Sequence, residues 1–201
     1  MPKESQRHIS KSSRVLSQSR KFINMHHVLL DNIYSLRTYS GAGADTVAIA
    51  MRAALYHLNT NPEVLQKLRE EIDAVDAGGP LSYKQTQQLP YLKAVVRESL
   101  RMYSSVPAQL YRIVPPGGLS IDGHFIPSGT VVGISSLAQN RDPTIFGQDA
   151  NIFNPDRWLG DESKARYLEA ALFNFGGTGI RSCPGRDLAM VSRSHVLCYQ
   201  S

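Results

Sequence analysis

Apolar side chains recur at helical spacing through the first half of the chain. Over residues 28–57 the stripe includes Leu30, Ile33, Tyr34, Val47, Ala50 and Ala54, interrupted by Gly41-Ala42-Gly43. Glycine costs about 1 kcal/mol in a helix interior, so this pair predicts a loosened or bent helix. Asn59-Thr60-Asn61-Pro62 stops that helix and starts another. Asn61 is the expected N-cap, Pro62 the first helical position, and Val64, Leu65, Leu68, Ile72 and Val75 the buried stripe. Gly78-Gly79-Pro80 reads as a turn, and Pro90 opens a third helix through Leu92, Val95, Val96, Leu100 and Tyr103.

The period then changes. Residues 110–114 read as a strand, 119–126 as a hairpin around Asp122-Gly123, and 129–134 as a further strand. From 140 to 160, Pro and Asp punctuate a stretch with no clear period. A glycine-rich loop follows at Gly176-Gly177-Thr178-Gly179, and a last helix begins near Pro184. Helices, then a small sheet, then a coil ending in a Gly-rich loop define a mainly α, α+β chain without a doubly wound core.

Composition narrows the function classes. With 201 residues and 42% apolar content, the chain can bury a core. Residues 1–21 hold six basic side chains (Lys3, Arg7, Lys11, Arg14, Arg20, Lys21) against Glu4, and the remainder is neutral. Residues 1–27 are therefore read as a basic, Ser-rich segment, solvated or frayed, and 28–201 as the folded domain. No aromatic ring interleaves with those charges, so nucleic acid is not an expected partner. No apolar stretch follows the basic start as in a signal peptide, and the best apolar run, 46–58, is too short to span a membrane and contains Arg52. Two cysteines make no disulfide scaffold, and Cys183, His195 and Cys198 lack paired zinc-ligand spacing.

The chemistry concentrates in Phe175-Gly176-Gly177-Thr178-Gly179-Ile180-Arg181-Ser182-Cys183-Pro184-Gly185. A cysteine just before a helix N-terminus is favoured as a thiolate by free amides and the helix dipole. The glycines let backbone approach a large flat ligand, and Arg181 could pair with its carboxylate. A structural cysteine and a phosphate-cradling loop are the other readings of the loop alone. A phosphate loop would end in Lys-Ser/Thr, where this chain has Ser182-Cys183. Elsewhere, Glu98-Ser99-Leu100-Arg101 reads as an i,i+3 ion pair, worth a few tenths of a kcal/mol if exposed. Asp45-Thr46 after Gly43 places an acid and a hydroxyl beside a bend that leaves carbonyls free.

The Cys183 loop resembles the haem-thiolate signature of cytochromes P450, with Gly179, Arg181, Cys183 and Gly185 matching in order and spacing. The family's aromatic residue falls seven before the cysteine, where this chain has Gly176, and Phe175 is one step further. Glu98 and Arg101 resemble the family's Glu-x-x-Arg helix, and Phe153-Asn154-Pro155-Asp156-Arg157-Trp158 its meander, implying a structural Glu98–Arg101–Arg157 triad. Asp45 and Thr46 resemble the acid–alcohol pair of the distal helix and would relay protons, although Val47 stands where a second hydroxyl is common. Arg112 resembles the strand arginine that pairs a haem propionate, and Asn140-Arg141-Asp142-Pro143 resembles a His-Arg-Asp-Pro run. The phrasing of 112–133 and 153–159 is most similar to fungal members of secondary metabolism.

The resemblance covers about residues 28–190. It implies the C-terminal part of the P450 fold: long distal helix, Glu-x-x-Arg helix, small sheet, meander, ligand loop and the start of a proximal helix. It implies haem b with Cys183 as axial ligand, and insertion of one oxygen atom from O2 into a small lipophilic substrate. Electrons would come from NADPH through cytochrome P450 reductase. The family works at the cytosolic face of the endoplasmic reticulum, attached by a segment absent from this sequence, so this chain alone is expected to be cytoplasmic. Family members are more than twice this length, and Val191-Ser192-Arg193-Ser194-His195 continues an apolar helix poorly. Both ends are therefore expected to reflect a shifted frame or retained intron. Two alternatives stay open, a truncated non-catalytic fragment and a Cys-based redox or metal-binding protein.

Overall fold

The computed structural model describes residue 37 and residues 40–75 and 79–200. Contacts divide the chain into a unit of residues 1–44 and a unit of residues 45–201. In the first unit the described residues 37 and 40–44 are helical. Gly41 and Gly43 therefore sit in helical backbone, and the basic segment expected at 1–27 lies outside the described residues.

The second unit begins with helix α1 (45–60). There follow α2 (Pro62–Asp73), α3 (Tyr83–Thr86) and α4 (Pro90–Met102). Asn61 is the N-cap residue of α2, as expected, but its side chain makes no capping hydrogen bond. Its Nδ2 instead donates to the His57 carbonyl at 2.7 Å, closing the end of α1. Ten of the thirteen residues of α4 are buried. Its stripe, Leu92, Val95, Val96 and Leu100, meets Ala54, Leu58, Leu68 and Leu197, which makes it the central helix of the core. The opposite side of α4 turns Ala94 into a smaller cluster with Phe146, Ala150, Trp158 and Leu168. The N-terminus of α4 is capped from outside: both oxygens of Glu71 on α2 accept from the Tyr91 and Leu92 amides, at 2.7 and 2.8 Å.

Two small antiparallel sheets follow. Strand β1 (Gln109–Ile113) pairs with β4 (Val131–Ser135), Leu110 opposite Ile134, while β2 (Leu119–Ile121) and β3 (His124–Ile126) form the expected hairpin. Its turn has positive φ at both Asp122 (49°) and Gly123 (78°), the primed geometry that Asp-Gly favours. The stretch without a period resolves into short helices α5 (Ser136–Gln139) and α6 (Pro143–Phe146), a 3-10 turn at Pro155–Trp158, and α7 (Glu162–Ala171). Helix α7 is additional to the sequence expectation. Asp161 caps it through the Ser163 and Lys164 amides. After a second 3-10 turn at Gly179–Arg181, helix α8 runs from Arg186 to Gln200. Contrary to the expected poor continuation, it stays helical through Val191–His195 and buries Arg193, Ser194 and Leu197. No helix among the described residues is long and apolar enough to cross a membrane.

Candidate functional site

Glu98 lies on the side of α4 that faces the coil, completely buried, as is Arg101 one turn later. The Arg101 fork grips it twice, Nε to Oε2 at 2.9 Å and Nη2 to Oε1 at 2.7 Å. Arg157, 8% exposed, reaches the same carboxylate with Nε to Oε1 at 3.0 Å. Two more donors complete the shell, the Trp158 indole to Oε2 at 2.8 Å and the Asn154 amide to Oε1 at 2.9 Å. Five donors saturate the lone pairs of one carboxylate, which is what lets a buried charge survive desolvation.

Both arginines also hold backbone. Arg101 donates to the carbonyls of Asn140, Ala150 and Ile152, and Arg157 to those of Phe146, Asp149 and Ile152. Asp149 supplies a second carboxylate, accepting Arg157 Nη1 at 3.2 Å and Nη2 at 3.0 Å. Burial pushes the Asp149 carboxyl up, but the hydrogen bonds from Arg157 and Asn154 outweigh it and hold the group below the usual range. Asn154 and Trp158 stand in the meander motif without an assigned role, and Asp149 was not singled out. Asn154 and Trp158 meet Glu98 from 56 and 60 residues away, whereas Asp149 meets Arg157 eight residues on, a pairing that only the fold creates.

The loop before α8 is set by glycine. Phe175, Gly176, Gly177 and Gly179 have φ of 55°, 79°, 78° and 83°. A Cβ on Gly176 would lie 2.6 Å from the Arg181 carbonyl oxygen, so the turn folds back on itself there. The Cys183 amide donates to the Phe175 carbonyl at 2.7 Å, closing the loop. Cys183 itself is exposed and unbridged, as are the side chains of Ile180 and Arg181 on the same turn. A Cβ on Gly185 would stand an ordinary 3.8 Å from Cys183 Sγ. The half-buried Phe175 ring packs on the main core, with the guanidinium carbons of Arg186 and Arg193 5.8 and 5.2 Å from its centroid. Burial draws the Arg193 guanidinium down to about 10, against the opposing attraction of Cys183.

The remaining expected residues stand apart from this loop in their surroundings. Asp45 is exposed and Thr46 half-buried on α1, and the Thr46 carbonyl accepts from Ser105 Oγ at 2.7 Å. Arg112, exposed on β1, donates to the carbonyl of its neighbour Tyr111.

A family model described as Cytochrome P450 matches residues 30–198. A pisatin demethylase of Fusarium vanettenii is 45% identical over 157 residues, covering 78% of this chain and 30% of the relative. A cytochrome P450 monooxygenase of Aspergillus terreus is 43% identical over 161 residues, covering 78% and 32%. The cytochrome P450 monooxygenase ACRTS1 of Alternaria alternata is 38% identical over 160 residues, covering 78% and 42%. The chain thus spans about a third of the length of the curated relatives it matches.

Proposed function

This chain belongs to the cytochrome P450 family, and on that premise we propose that Cys183 is the axial thiolate of a haem iron in a monooxygenase. The observation that carries the reading is the exposed, unbridged Cys183 at the mouth of α8, held by a closed glycine turn. The residues present fit the group. A soft sulfur ligand is accessible, the turn beside it is free of bulk at Gly179 and Gly185, and Arg181 and Arg112 are exposed cations suited to its carboxylates.

When bound, haem would supply the chemistry that inserts one atom of O2 into a C–H bond of the substrate, the other being reduced to water. The protein's own work is narrower. Cys183 donates electron density through Sγ, and Phe175, on the core side of the loop, accepts the Cys183 amide and backs the turn. Asp45 takes protons from solvent at its carboxylate, and the Thr46 hydroxyl passes them inward. Glu98, Arg101 and Arg157 keep the coil before the ligand loop in one conformation. Electrons come from NADPH through cytochrome P450 reductase, at the cytosolic face of the endoplasmic reticulum. The substrate is a small lipophilic secondary metabolite, in keeping with a relative named for demethylating pisatin.

The test is the spectrum of the reduced, CO-bound protein after haem reconstitution. The expected result is the shifted Soret band of thiolate-ligated haem in the wild type and its loss in Cys183→Ala. A wild type without the shifted band, or a Cys183→Ala variant that keeps it, would overturn the assignment.

A further inference from the structure

Between the buried Glu98 network and the Cys183 loop stands one side chain, Asn140, completely buried at the end of α5. Its main-chain carbonyl accepts from Arg101 Nη1 at 2.8 Å, so it belongs to the network by its backbone. Its side chain faces the other way. Oδ1 accepts the Phe173 amide at 2.8 Å, while Nδ2 donates to the Phe173 carbonyl at 3.4 Å and to Asn174 Oδ1 at 3.3 Å. Because a backbone N–H can only donate, the Phe173 amide fixes which end of the Asn140 amide is oxygen. A carboxamide carries its acceptor and its donor side by side on one carbon, so it mimics a peptide unit and pairs with both polar groups of Phe173 as a neighbouring strand would.

Phe173 carries the restraint onward. Its ring lies against Gly177, where an added Cβ would sit 3.1 Å from Cε2 and 3.7 Å from Cδ2. Gly177 follows Gly176, which folds onto the Arg181 carbonyl, and the turn ends with the Cys183 amide on the Phe175 carbonyl. The path from Arg101 to Cys183 is thus continuous: fork, Asn140, Phe173, Gly177, closed turn. An imidazole at 140, the residue in the His-Arg-Asp-Pro run this segment resembles, has its nitrogens on separate edges of the ring and cannot form the same paired contact.

We propose that Asn140 is a positioning residue for Cys183: it fixes the backbone of Phe173 and thereby the seating of the ligand loop. The inference rests on the reading of Cys183 as the iron ligand. Its consequence for this chain is that the loop's placement comes through a neutral amide rather than through a contact with the ligand itself.

The experiment compares the 201-residue chain with Asn140→Ala, Asn140→Asp and, as a stability-matched control in the smaller core cluster, Leu168→Ala. Amide hydrogen exchange at Phe173 is read without haem, and the reduced CO spectrum after reconstitution. Asn140→Ala is expected to speed exchange at Phe173 by about tenfold or more relative to Leu168→Ala, and to replace part of the shifted Soret band with the unshifted one. Asn140→Asp is nearly isosteric and keeps the acceptor, so Phe173 should stay protected. It faces the Phe173 carbonyl and Asn174 Oδ1 with oxygen, so part of the shifted band is still expected to be lost. Exchange at Phe173 equal in Asn140→Ala and Leu168→Ala would overturn the proposal, as would a fully shifted band in both Asn140 variants. If wild type and Cys183→Ala give the same spectrum, the ligand reading has failed and the positioning role falls with it. A shifted wild-type band that survives Asn140→Ala sinks this proposal alone.

Discussion

The indole N–H of Trp158 donates to Glu98 Oε2 at 2.8 Å, beneath α4 and out of reach of water. The ring is therefore more than filling for the cluster of Phe146, Ala150 and Leu168: it supplies one of five donors on a buried carboxylate. Trp158→Phe keeps much of the apolar body and removes the donor. A hydrogen bond to a charged group contributes about 1.5–3 kcal/mol, so the urea midpoint should fall by that equivalent with an unchanged slope. A midpoint within error of wild type would show that the indole N–H is dispensable.

Removing the carboxylate is expected to be far worse. Glu98→Ala leaves the buried Arg101 guanidinium without a counter-charge and Arg157 with Asp149 alone, at a cost of about 3–5 kcal/mol. Thermal unfolding followed by circular dichroism should show loss of the cooperative transition. Arg101→Lys, which retains the charge but lacks the fork, should fall between wild type and Glu98→Ala.

Two glycines in the ligand loop separate strain from collision. Gly176→Ala meets both a positive φ and the Arg181 carbonyl, whereas Gly179→Ala meets positive φ with open space around it. Backbone strain of this kind costs about 1–3 kcal/mol. Gly179→Ala should lose stability in that range, and Gly176→Ala should lose more and also bind haem less completely, as read from the Soret absorbance. Equal losses would mean that the close approach at Gly176 is not maintained.

His57 should make stability fall in mild acid. The ring stacks on Phe153 at 4.5 Å between centroids, and burial lowers its pKa, with Glu98 pulling upward and Arg141 and Arg101 reinforcing the depression. The native state therefore binds fewer protons than the unfolded chain. The contribution is complete above the unfolded value near 6.5 and is lost as pH falls below it, levelling off once the folded group is also charged. Denaturant titrations between about pH 7.5 and 5 should show a smaller loss for His57→Gln than for wild type. An identical pH slope would assign the acid loss to other groups.

Glu71 should matter although it lies far from the loop in sequence. It accepts the first amides of α4, so Glu71→Ala leaves them unsatisfied and should cost about 1–2 kcal/mol by urea unfolding. Glu71→Gln, which keeps an acceptor, should recover part of that.

How much of this was legible in the sequence depended on the range of each interaction. The Glu98–Arg101 pair is one helical turn apart and needs no fold to be seen, and Asp122-Gly123 carries its own turn geometry. Asn140 and Asn154 stand in recognisable motifs but were given no role there, because each acts on a partner tens of residues away, and Asp149 meets Arg157, eight residues on, only through the fold. Helix α7 escaped because it buries only Leu168 fully and so lacks a full apolar stripe. The polar run in α8 misled for a related reason. Ser192 and Ser194 bond back to the carbonyls of Leu188 and Met190, which lets hydroxyls ride inside a helix that looks too polar to continue. Asn61 has the right residue type for a cap, yet the His57 carbonyl claimed its side chain first.

The two arginines bear on evolvability. Coils ordinarily absorb insertions and deletions, because few of their backbone groups are spoken for. Here the fork of a helix residue, Arg101, ends on the carbonyls of Asn140, Ala150 and Ile152, spacing that coil as a ruler spaces marks. Adding one residue between 140 and 152 would slide a carbonyl off its donor and strand a buried cation. A largely irregular segment, with only the short α6 inside it, is thereby as intolerant of a change in length as a central strand is of a slip in register.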